Sequence, residues 1–227
     1  MGVVARIHTC WVGGNGPASM KFTGSTGRIS IGRPGYSGGP LDRSDRFSYW
    51  PVRAARGGEM LAPGTPRDPI QVIDVRDLTR WMMDLVQART NGCFNADSPP
   101  RAFTMGALLE ASRHASPTAA VKVTWVPEDF LAAHWKPEEL DLPPWAPLKG
   151  DSAAASLTSV KAALANGLRS RPLEETVRDT LAWFQMLPAE RQAKLRAGLD
   201  PTREAQTIRD WHAEATVRER RASKVGR

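Results

Sequence analysis

Two short apolar runs, each followed by residues that end a strand, constrain the fold of this chain most strongly. The first run, residues 29–31 (Ile-Ser-Ile), leads into Arg-Pro-Gly-Tyr at 33–36 and Gly-Gly-Pro at 38–40. The second run, residues 70–73 (Ile-Gln-Val-Ile), leads into Asp-Val-Arg-Asp-Leu at 74–78. Both patterns are typical of buried strands. Because ligands of open α/β sheets bind at the carboxyl ends of strands, and glycine lets the backbone approach a ligand, we expect a binding site where these strands end.

The size and composition of the chain indicate a folded globular protein. It has 227 residues, of which 41% are hydrophobic and 24% charged, so it can bury a core and is not a wholly disordered protein. It contains no run of about 18 apolar residues, which a membrane-spanning helix needs. Arg6, His8 and Thr9 interrupt the apolar character of the first residues, which therefore do not resemble a signal peptide. We expect a cytoplasmic protein without a membrane partner.

Cysteine, histidine and charge predict neither a metal site nor a nucleic-acid site. Cys10 and Cys93 are too few for a disulfide framework, and neither has a CxxC partner. The four histidines are far apart and lack metal-binding spacing. Part of the net charge of +7 collects near the carboxyl terminus. Without interleaved aromatic residues, this basic stretch favours a solvated end over a nucleic-acid surface.

The chain divides into a leader, a folded body and a tail. Ten of the nineteen glycines lie in the first forty residues, which favours an irregular or disordered leader over 1–27. A Gly-x-x-Gly-x-x-Ser stretch at 13–19 has the form of a phosphate loop, but Pro17 removes one backbone donor and no helical pattern follows. The pattern predicts a folded body over 28–215 and a flexible basic tail over 216–227.

Within the body, helical and strand patterns alternate. The predicted helices cover residues 44–56, 74–90, 104–111, 127–131, 156–168 and 173–184, with a last helix that begins at Asp200 and Pro201. The predicted strands include residues 93–95 and 121–126. Asp74 and Asp77 have the spacing of a capping box. Trp135 and Trp145 lie in a proline-rich stretch that forms either a lid or a packed surface strap, and their size favours packing.

An ordered series of motifs resembles the carboxyl half of an extended short-chain dehydrogenase/reductase of the NAD-dependent epimerase/dehydratase group. The series is RPGYSGGP (33–40), DRF (45–47), QVIDVRDL (71–78), GCFNAD (92–97) and LANGLRSRPLEETVRDTLAWF (164–184). The resemblance covers about residues 28–211. It implies an α/β fold, in which a partial Rossmann-like sheet joins a mixed α/β substrate-binding subdomain with several helices. From the resemblance we expect the amino-terminal cofactor half of the family to be missing from this chain.

The resemblance also implies site residues, each with a structural alternative. Beside the nicotinamide we expect Pro34, Gly35 and Tyr36; in the substrate loop we expect Gly39, Pro40, Asp42, Asp45, Arg46 and Tyr49. Arg76 is a further candidate, because the planar guanidinium group suits carboxylate or phosphate. Tyr36 can instead be a packed aromatic residue, Asp74 and Asp77 can be helix caps, and Arg33 can pair with a carboxylate behind the sheet.

No catalytic residue is expected in this chain. The family uses a Tyr-x-x-x-Lys pair, whereas Pro40 follows Tyr36 and Arg53 follows Tyr49 at that spacing. Complete relatives use NAD or NADP, and we expect neither to bind this chain alone. The favoured hypothesis is therefore a truncated substrate-binding part of an NAD(P)-dependent enzyme, inactive alone and acting on a small molecule.

Two other hypotheses stay open: a non-catalytic module that binds a small ligand or partner, and a complex with a separate cofactor-binding chain. If the cofactor half is missing, the strands near Ile31 and Ile73 lack sheet neighbours, and self-association through apolar surface is expected.

Overall fold

The computed structural model describes residues 5–10, 19–24, 29–117, 119–136, 142–149 and 156–225. These residues form a mixed α/β structure, which confirms the predicted fold class. In chain order the elements are β1 (Ala5–Cys10), β2 (Ser19–Gly24), β3 (Ile29–Pro34), β4 (Tyr36–Gly38), α1 (Tyr49–Ala55), β5 (Gly58–Pro63), β6 (Pro69–Ile70), β7 (Val72–Asp74), α2 (Val75–Gln87), β8 (Gly92–Ala96), β9 (Phe103–Thr104), α3 (Met105–Ala115), β10 (Val121–Val126), α4 (Glu128–His134), α5 (Lys161–Ala165), α6 (Leu173–Gln185), α7 (Ala189–Ala193) and α8 (Pro201–Val225).

Two parallel strand pairs form the part of the fold that the apolar runs predicted. A four-stranded sheet has the order β1-β2-β3-β8, in which β3 and β8 are parallel and Pro34 lies opposite Ala96. After an interruption at Gly35 the chain continues as β4. Strand β4 pairs in parallel with β7, and Gly38 lies opposite Asp74. Both pairs therefore end at Gly- and Asp-containing segments.

Two expectations about the ends and edges of the chain are wrong. Residues 5–10 and 19–24 are strands rather than an irregular leader, while positions 13–18 of the glycine-rich stretch lie outside the described residues. The strands that contain Ile31 and Ile73 both have sheet neighbours. Strand β3 lies between β2 and β8, and β7 pairs with β4; Ile73 is also buried. At the other end, α8 continues to Val225 and takes in most of the predicted tail, whose flexibility stays a prediction.

The first helix begins later than the sequence pattern predicts. Residues 44–48 wrap around the carboxylate of Asp42, which accepts hydrogen bonds from the backbone N–H of Ser44 (3.0 Å), Phe47 (3.1 Å) and Ser48 (3.0 Å). These N–H groups are therefore already bound before α1 begins at Tyr49. Pro51 lies in the first turn of α1, where a missing N–H costs no helical hydrogen bond.

The second helix confirms the prediction at its start and differs at its end. Asp74 is the N-cap of α2, and its side chain accepts a hydrogen bond from the backbone N–H of Arg76. The helix ends at Gln87, before the predicted stop at 91–92, because Arg89 adopts a positive φ of 52°. The predicted helix over 156–168 is likewise shorter. Thr158 lies outside the helix because its backbone N–H and C=O bind the buried side chain of Gln71, and only α5 is helical.

Both tryptophans of the proline-rich stretch are packed in the core, as predicted. Trp135 and Trp145 are buried, and their indole N–H groups donate to the Thr207 hydroxyl (3.1 Å) and the Asp68 carboxylate (2.9 Å). They belong to a large core that also takes in the buried faces of α1, α3 and α6. A second core joins α2, β8 and α5, where Trp81 meets Phe94 edge to face at 5.6 Å. Among the described helices, none combines the length and hydropathy that spanning a bilayer takes.

A buried ion pair closes one edge of the parallel pair β5–β10. Glu204 of α8 accepts a hydrogen bond from the backbone N–H of Leu61 (2.9 Å) and binds Nε of Arg53 (2.7 Å). Arg53 in turn donates to the backbone oxygen of Glu59 (2.6 Å). Both backbone groups lie on the side of β5 that faces away from β10. Two side chains therefore occupy the hydrogen-bonding positions that a neighbouring strand would otherwise fill.

We expect replacement of Glu204 by alanine to lower the free energy of unfolding by about 3–5 kcal/mol, because it leaves Arg53 buried without its carboxylate and Leu61 without its acceptor. Urea unfolding followed by tryptophan fluorescence measures the loss. The matched control is Lys149→Ala, which breaks an exposed pair with Asp129 and is expected to leave the midpoint unchanged. Equal effects of the two substitutions would contradict this account of the β5 edge.

Candidate functional site

The candidate site comprises the segments that follow the strand pairs β3–β8 and β4–β7, and the end of the first pair adjoins the start of the second. Gly35 separates β3 from β4, and its Cα packs against the carboxylate of Asp97, which follows β8 directly. A side chain at position 35 would overlap that carboxylate, so only glycine fits without a shift. Gly35 thus makes a close approach, but to a carboxyl of its own chain, and the predicted approach to a ligand stays a prediction.

Asp97 is a buried acid with few compensating partners. It is 5% exposed, and its Oδ1 accepts a hydrogen bond from the backbone N–H of Ser98 (2.8 Å). Burial raises the pKa of Asp97 to about 7, and the Ser98 hydrogen bond offsets only part of this effect. The carboxyl therefore changes protonation near neutral pH. Asp97 was not among the residues predicted to form the site, although its position directly after a strand was a usable signal.

Gly39 makes a second close approach, to the carboxylate of Asp74. Its φ of +113° is one that residues with a side chain rarely adopt. A Cβ added there would lie 3.2 Å from Oδ1 and 3.3 Å from Oδ2 of Asp74. The start of the predicted substrate loop is therefore fixed against the residue that caps α2.

The carboxylate of Asp74 is the centre of an ionic network between α2 and α6. Arg76 donates to it from Nε (2.9 Å) and Nη2 (2.8 Å), and the Thr176 hydroxyl donates at 2.9 Å. Nε of Arg171 lies 3.5 Å away. Burial alone would raise the pKa of Asp74, but the hydrogen bonds from Arg76 and Thr176 and the charge of Arg171 outweigh burial and lower the pKa. Asp74 stays ionised.

The same network holds Arg76 and Asp77, the two other polar residues of this turn. Besides Asp74, Arg76 binds Asp179 of α6 through Nη1 at 2.7 Å. Asp77 does not complete a capping box. It accepts from the backbone N–H of Arg171 (2.9 Å) and from the guanidinium group of the same residue (2.6 Å). Arg76, predicted to bind a substrate anion, is therefore bound to two carboxylates of its own chain.

Tyr36 and Arg46 come together near the end of β3. The guanidinium carbon of Arg46 lies 5.4 Å from the centroid of the Tyr36 ring, which is cation–π geometry. Both residues are half-buried. The Ser44 hydroxyl, itself bound to Asp42 at 2.6 Å, accepts a hydrogen bond from the backbone N–H of Arg46 (3.2 Å). The Asp42 turn thus positions the backbone of Arg46.

The remaining residues that were predicted to bind cofactor (Pro34) or substrate have other places in the fold. Asp42 is the centre of the turn described above, and Pro34 and Pro40 are respectively buried and half-buried backbone positions of the edge. Asp45 is fully buried; its carboxylate binds the guanidinium of Arg191 and accepts from the backbone N–H of Arg196 (2.7 Å). Its contacts therefore lie with the segment after α6.

Tyr49 lies inside the core. It is 2% exposed, and Gly198 packs directly against its ring. Burial, followed by the charge of Glu204, raises the pKa of the Tyr49 hydroxyl. The structure thus brings together Gly35, Tyr36 and Arg46 near the strand ends and does not bring Tyr49 to them.

Chemically, the segments that follow these strands offer one arginine stacked on an aromatic ring (Arg46 on Tyr36), one buried acid (Asp97) and two glycines (Gly35 and Gly39). This set suits the binding of a small molecule that carries an anionic or hydrogen-bonding group. In the described part of the chain, no three His, Cys, Asp or Glu side chains are grouped as metal ligands would be.

Gly39→Ala is expected to destabilise the protein by about 1–3 kcal/mol, because alanine must adopt φ +113° and press on the Asp74 carboxylate. Gly167→Ala is the matched control. Gly167 also has a positive φ, +91°, but nothing lies within 4 Å of its added Cβ. The difference between the two variants in urea unfolding measures the contact with Asp74. A loss no larger for Gly39→Ala than for Gly167→Ala would show that this contact is unimportant.

The pKa of Asp97 predicts a pH-dependent loss of stability. The folded-state pKa of about 7 exceeds the unfolded value of about 3.9, so the stabilisation is complete below pH ~4 and is lost as the pH rises through 7. Asp97→Asn keeps the shape of the side chain and removes the charge. We expect it to unfold like the original protein at pH 4 and to be more stable at pH 8, by up to about 4 kcal/mol. Parallel stability curves from pH 4 to 8 would argue against this assignment.

The sequence matches no protein-family model and no curated protein. Comparison with solved structures gives partial likenesses. One is to a UDP-glucose 4-epimerase of Thermus thermophilus in complex with NAD, with 17% identity, a TM-score of 0.46, and coverage of 68% of this chain and 46% of that chain.

Two other partial likenesses have similar extent. A GDP-L-fucose synthetase from Naegleria fowleri bound to NADP has 15% identity and a TM-score of 0.48, with 72% of this chain and 47% of that chain covered. The RMD structure from Pseudomonas aeruginosa complexed with NADPH has 13% identity and a TM-score of 0.44, with 69% and 48% covered. The chain spans a little under half of the length of each of these proteins.

Proposed function

We propose that this chain is a substrate-binding part of an NAD(P)-dependent epimerase, dehydratase or reductase, a truncated copy that binds a small anionic molecule and does not turn over alone. The proposal rests on the two segments that follow the parallel strand pairs β3–β8 and β4–β7, which contain Gly35 and Gly39, and on Arg46, which supplies a cation beside Tyr36. The ordered motif series between residues 33 and 184 is the second support.

In this proposal Arg46 is the residue that contacts the anionic group. Its guanidinium is held over the Tyr36 ring, so part of the entropy of ordering the side chain is already lost before a ligand arrives. Arg76 serves instead as a positioning residue, because its donors are directed at Asp74 and Asp179. Asp42 positions Arg46 through the Ser44 hydroxyl.

The absence of turnover is proposed from the sequence. A proton donor tuned near the working pH is needed for hydride transfer to or from a carbonyl group. Neither tyrosine of this chain is followed by lysine at the family's spacing, and Tyr49 is buried. NAD or NADP would bind to a complete relative, and this chain alone would supply only the backbone of Pro34, Gly35 and Tyr36 beside the nicotinamide.

Pyrophosphate is a suitable probe, since it carries the anionic chemistry without a particular substrate. Titration calorimetry is expected to show saturable binding that Arg46→Ala weakens by about tenfold or more, because a charge-assisted hydrogen bond contributes roughly 1.5–3 kcal/mol. Arg43→Ala, an exposed arginine of the same loop, removes the same charge and is expected to have little effect.

Titration of the tryptophan fluorescence with NADH and NADPH tests the second part of the proposal. We expect no saturable quenching in the presence of excess pyrophosphate, which would displace a dinucleotide held only through its diphosphate at Arg46. Tight binding of either cofactor would contradict the proposal, as would an equal loss of pyrophosphate affinity in Arg43→Ala and Arg46→Ala, which would indicate a general response to charge.

A further inference from the structure

The edge of β10 that faces away from β5 presents unpaired backbone donors. In the parallel pair, Val121 lies opposite Gly58, and the N–H of Gly58 donates to the oxygen of Ala120 at 2.8 Å. Backbone N–H and C=O groups alternate in direction along a strand. The backbone groups of the even-numbered residues of β10 therefore point to β5, and those of Val121, Val123 and Trp125 point away from it. The N–H groups of these three residues donate to no partner among the residues described.

The two edges of this small sheet therefore differ. On the β5 side, Glu204 and Arg53 occupy the hydrogen-bonding groups of Leu61 and Glu59. On the β10 side, a cleft of about 430 Å³ lies next to the strand. Its lining residues are Pro66, Gly106, Leu109, Glu110, Arg113, Val121, Val123 and Trp125. An edge with open donors and half-exposed apolar side chains is a surface to which another strand can add.

We propose that β10 pairs with β10 of a second copy of this chain, antiparallel, with the two-fold axis at Val123. In that register Val123 lies opposite its own copy, and Val121 lies opposite Trp125 of the other molecule. The outward-pointing groups of all three residues then form hydrogen bonds. Pairs of aromatic and β-branched side chains are among the favoured cross-strand pairs, and a closed two-fold arrangement uses the same surface on both molecules.

The charges on the strand agree with this register. Lys122 would lie opposite Thr124 of the second copy, so the two lysines avoid direct opposition. Within each molecule, Glu59 already binds both residues, through the Thr124 hydroxyl and through Nζ of Lys122 at 3.0 Å. Lys122 is thus neutralised on its own side of the interface. Val121, Val123 and Trp125 lie on the opposite face of the sheet.

The pairing would also leave this sheet without an open edge. Two β5–β10 pairs joined at β10 give a four-stranded sheet whose outer strands are both β5. Each outer edge is then closed by an Arg53–Glu204 pair. A second copy is therefore an occupant that completes the sheet, whereas a single added peptide would create a new edge in place of the old one.

Site-specific cross-linking tests the register. In a Cys10→Ser, Cys93→Ser background, Val123→Cys places two sulfurs on residues whose Cα atoms are about 5.5 Å apart, within reach of a disulfide. We expect a covalent dimer under mild oxidation. The control is Lys122→Cys, whose equivalent Cα atoms lie about 8 Å apart in this register and should not cross-link.

Val123→Pro tests the strength of the interface. It removes only an outward-pointing N–H, a position where proline is tolerated in an edge strand. In sedimentation equilibrium its dimer dissociation constant is expected to rise about tenfold or more. A chain that stays monomeric at about 100 µM, or cross-linking that is equal for positions 122 and 123, would overturn the proposal. Dimers unaffected by Val123→Pro and not cross-linked through position 123 would place the interface elsewhere.

Discussion

The carboxylate of Asp74 joins parts of the chain that the candidate site needs in fixed positions. It ends β7 and caps α2, it contacts the Cα of Gly39 at the start of the loop after β4, and it binds Thr176 and Arg76. Because Arg171 adds a further positive charge nearby, the buried carboxylate is compensated. The strand end, the loop and α6 therefore share one group, and a shift of any one of them would disturb the others.

Local signals in the sequence predicted the elements that carry such groups. The apolar runs before Pro34 and Asp74, the cap at Asp74 and the stripe along α6 are all set by neighbours within a few residues, so pattern and propensity suffice. The boundaries failed where a side chain competes for backbone donors. Asp42 delays α1 by binding the N–H groups of the turn, and Gln71, 87 positions away in sequence, keeps Thr158 out of a helix by binding its backbone.

The site residues follow the same division. Local sequence predicted Gly35 and Gly39 as points where the backbone approaches a ligand; each packs against a carboxylate of this chain, and their roles in binding stay predictions. The places of Asp45 and Tyr49 depend on partners far along the chain, Arg191 and Gly198, which no local pattern indicates. Residues in a loop next to a site can thus point into the core, and only tertiary contacts decide their direction.

Two buried aspartates near the strand ends, Asp74 and Asp97, show that burial alone does not decide whether a carboxyl group is charged. Both Asp74 and Asp97 lie within a few per cent of full burial, and each faces the Cα of a glycine. Cationic and hydrogen-bonding partners surround Asp74 and lower its pKa, whereas Asp97 has one backbone N–H and a pKa raised to about 7. Asp74 can therefore serve as a permanent anion that fixes the fold. Asp97 can gain or lose a proton beside Gly35, where a change of charge would act directly on the segment that joins β3 to β4.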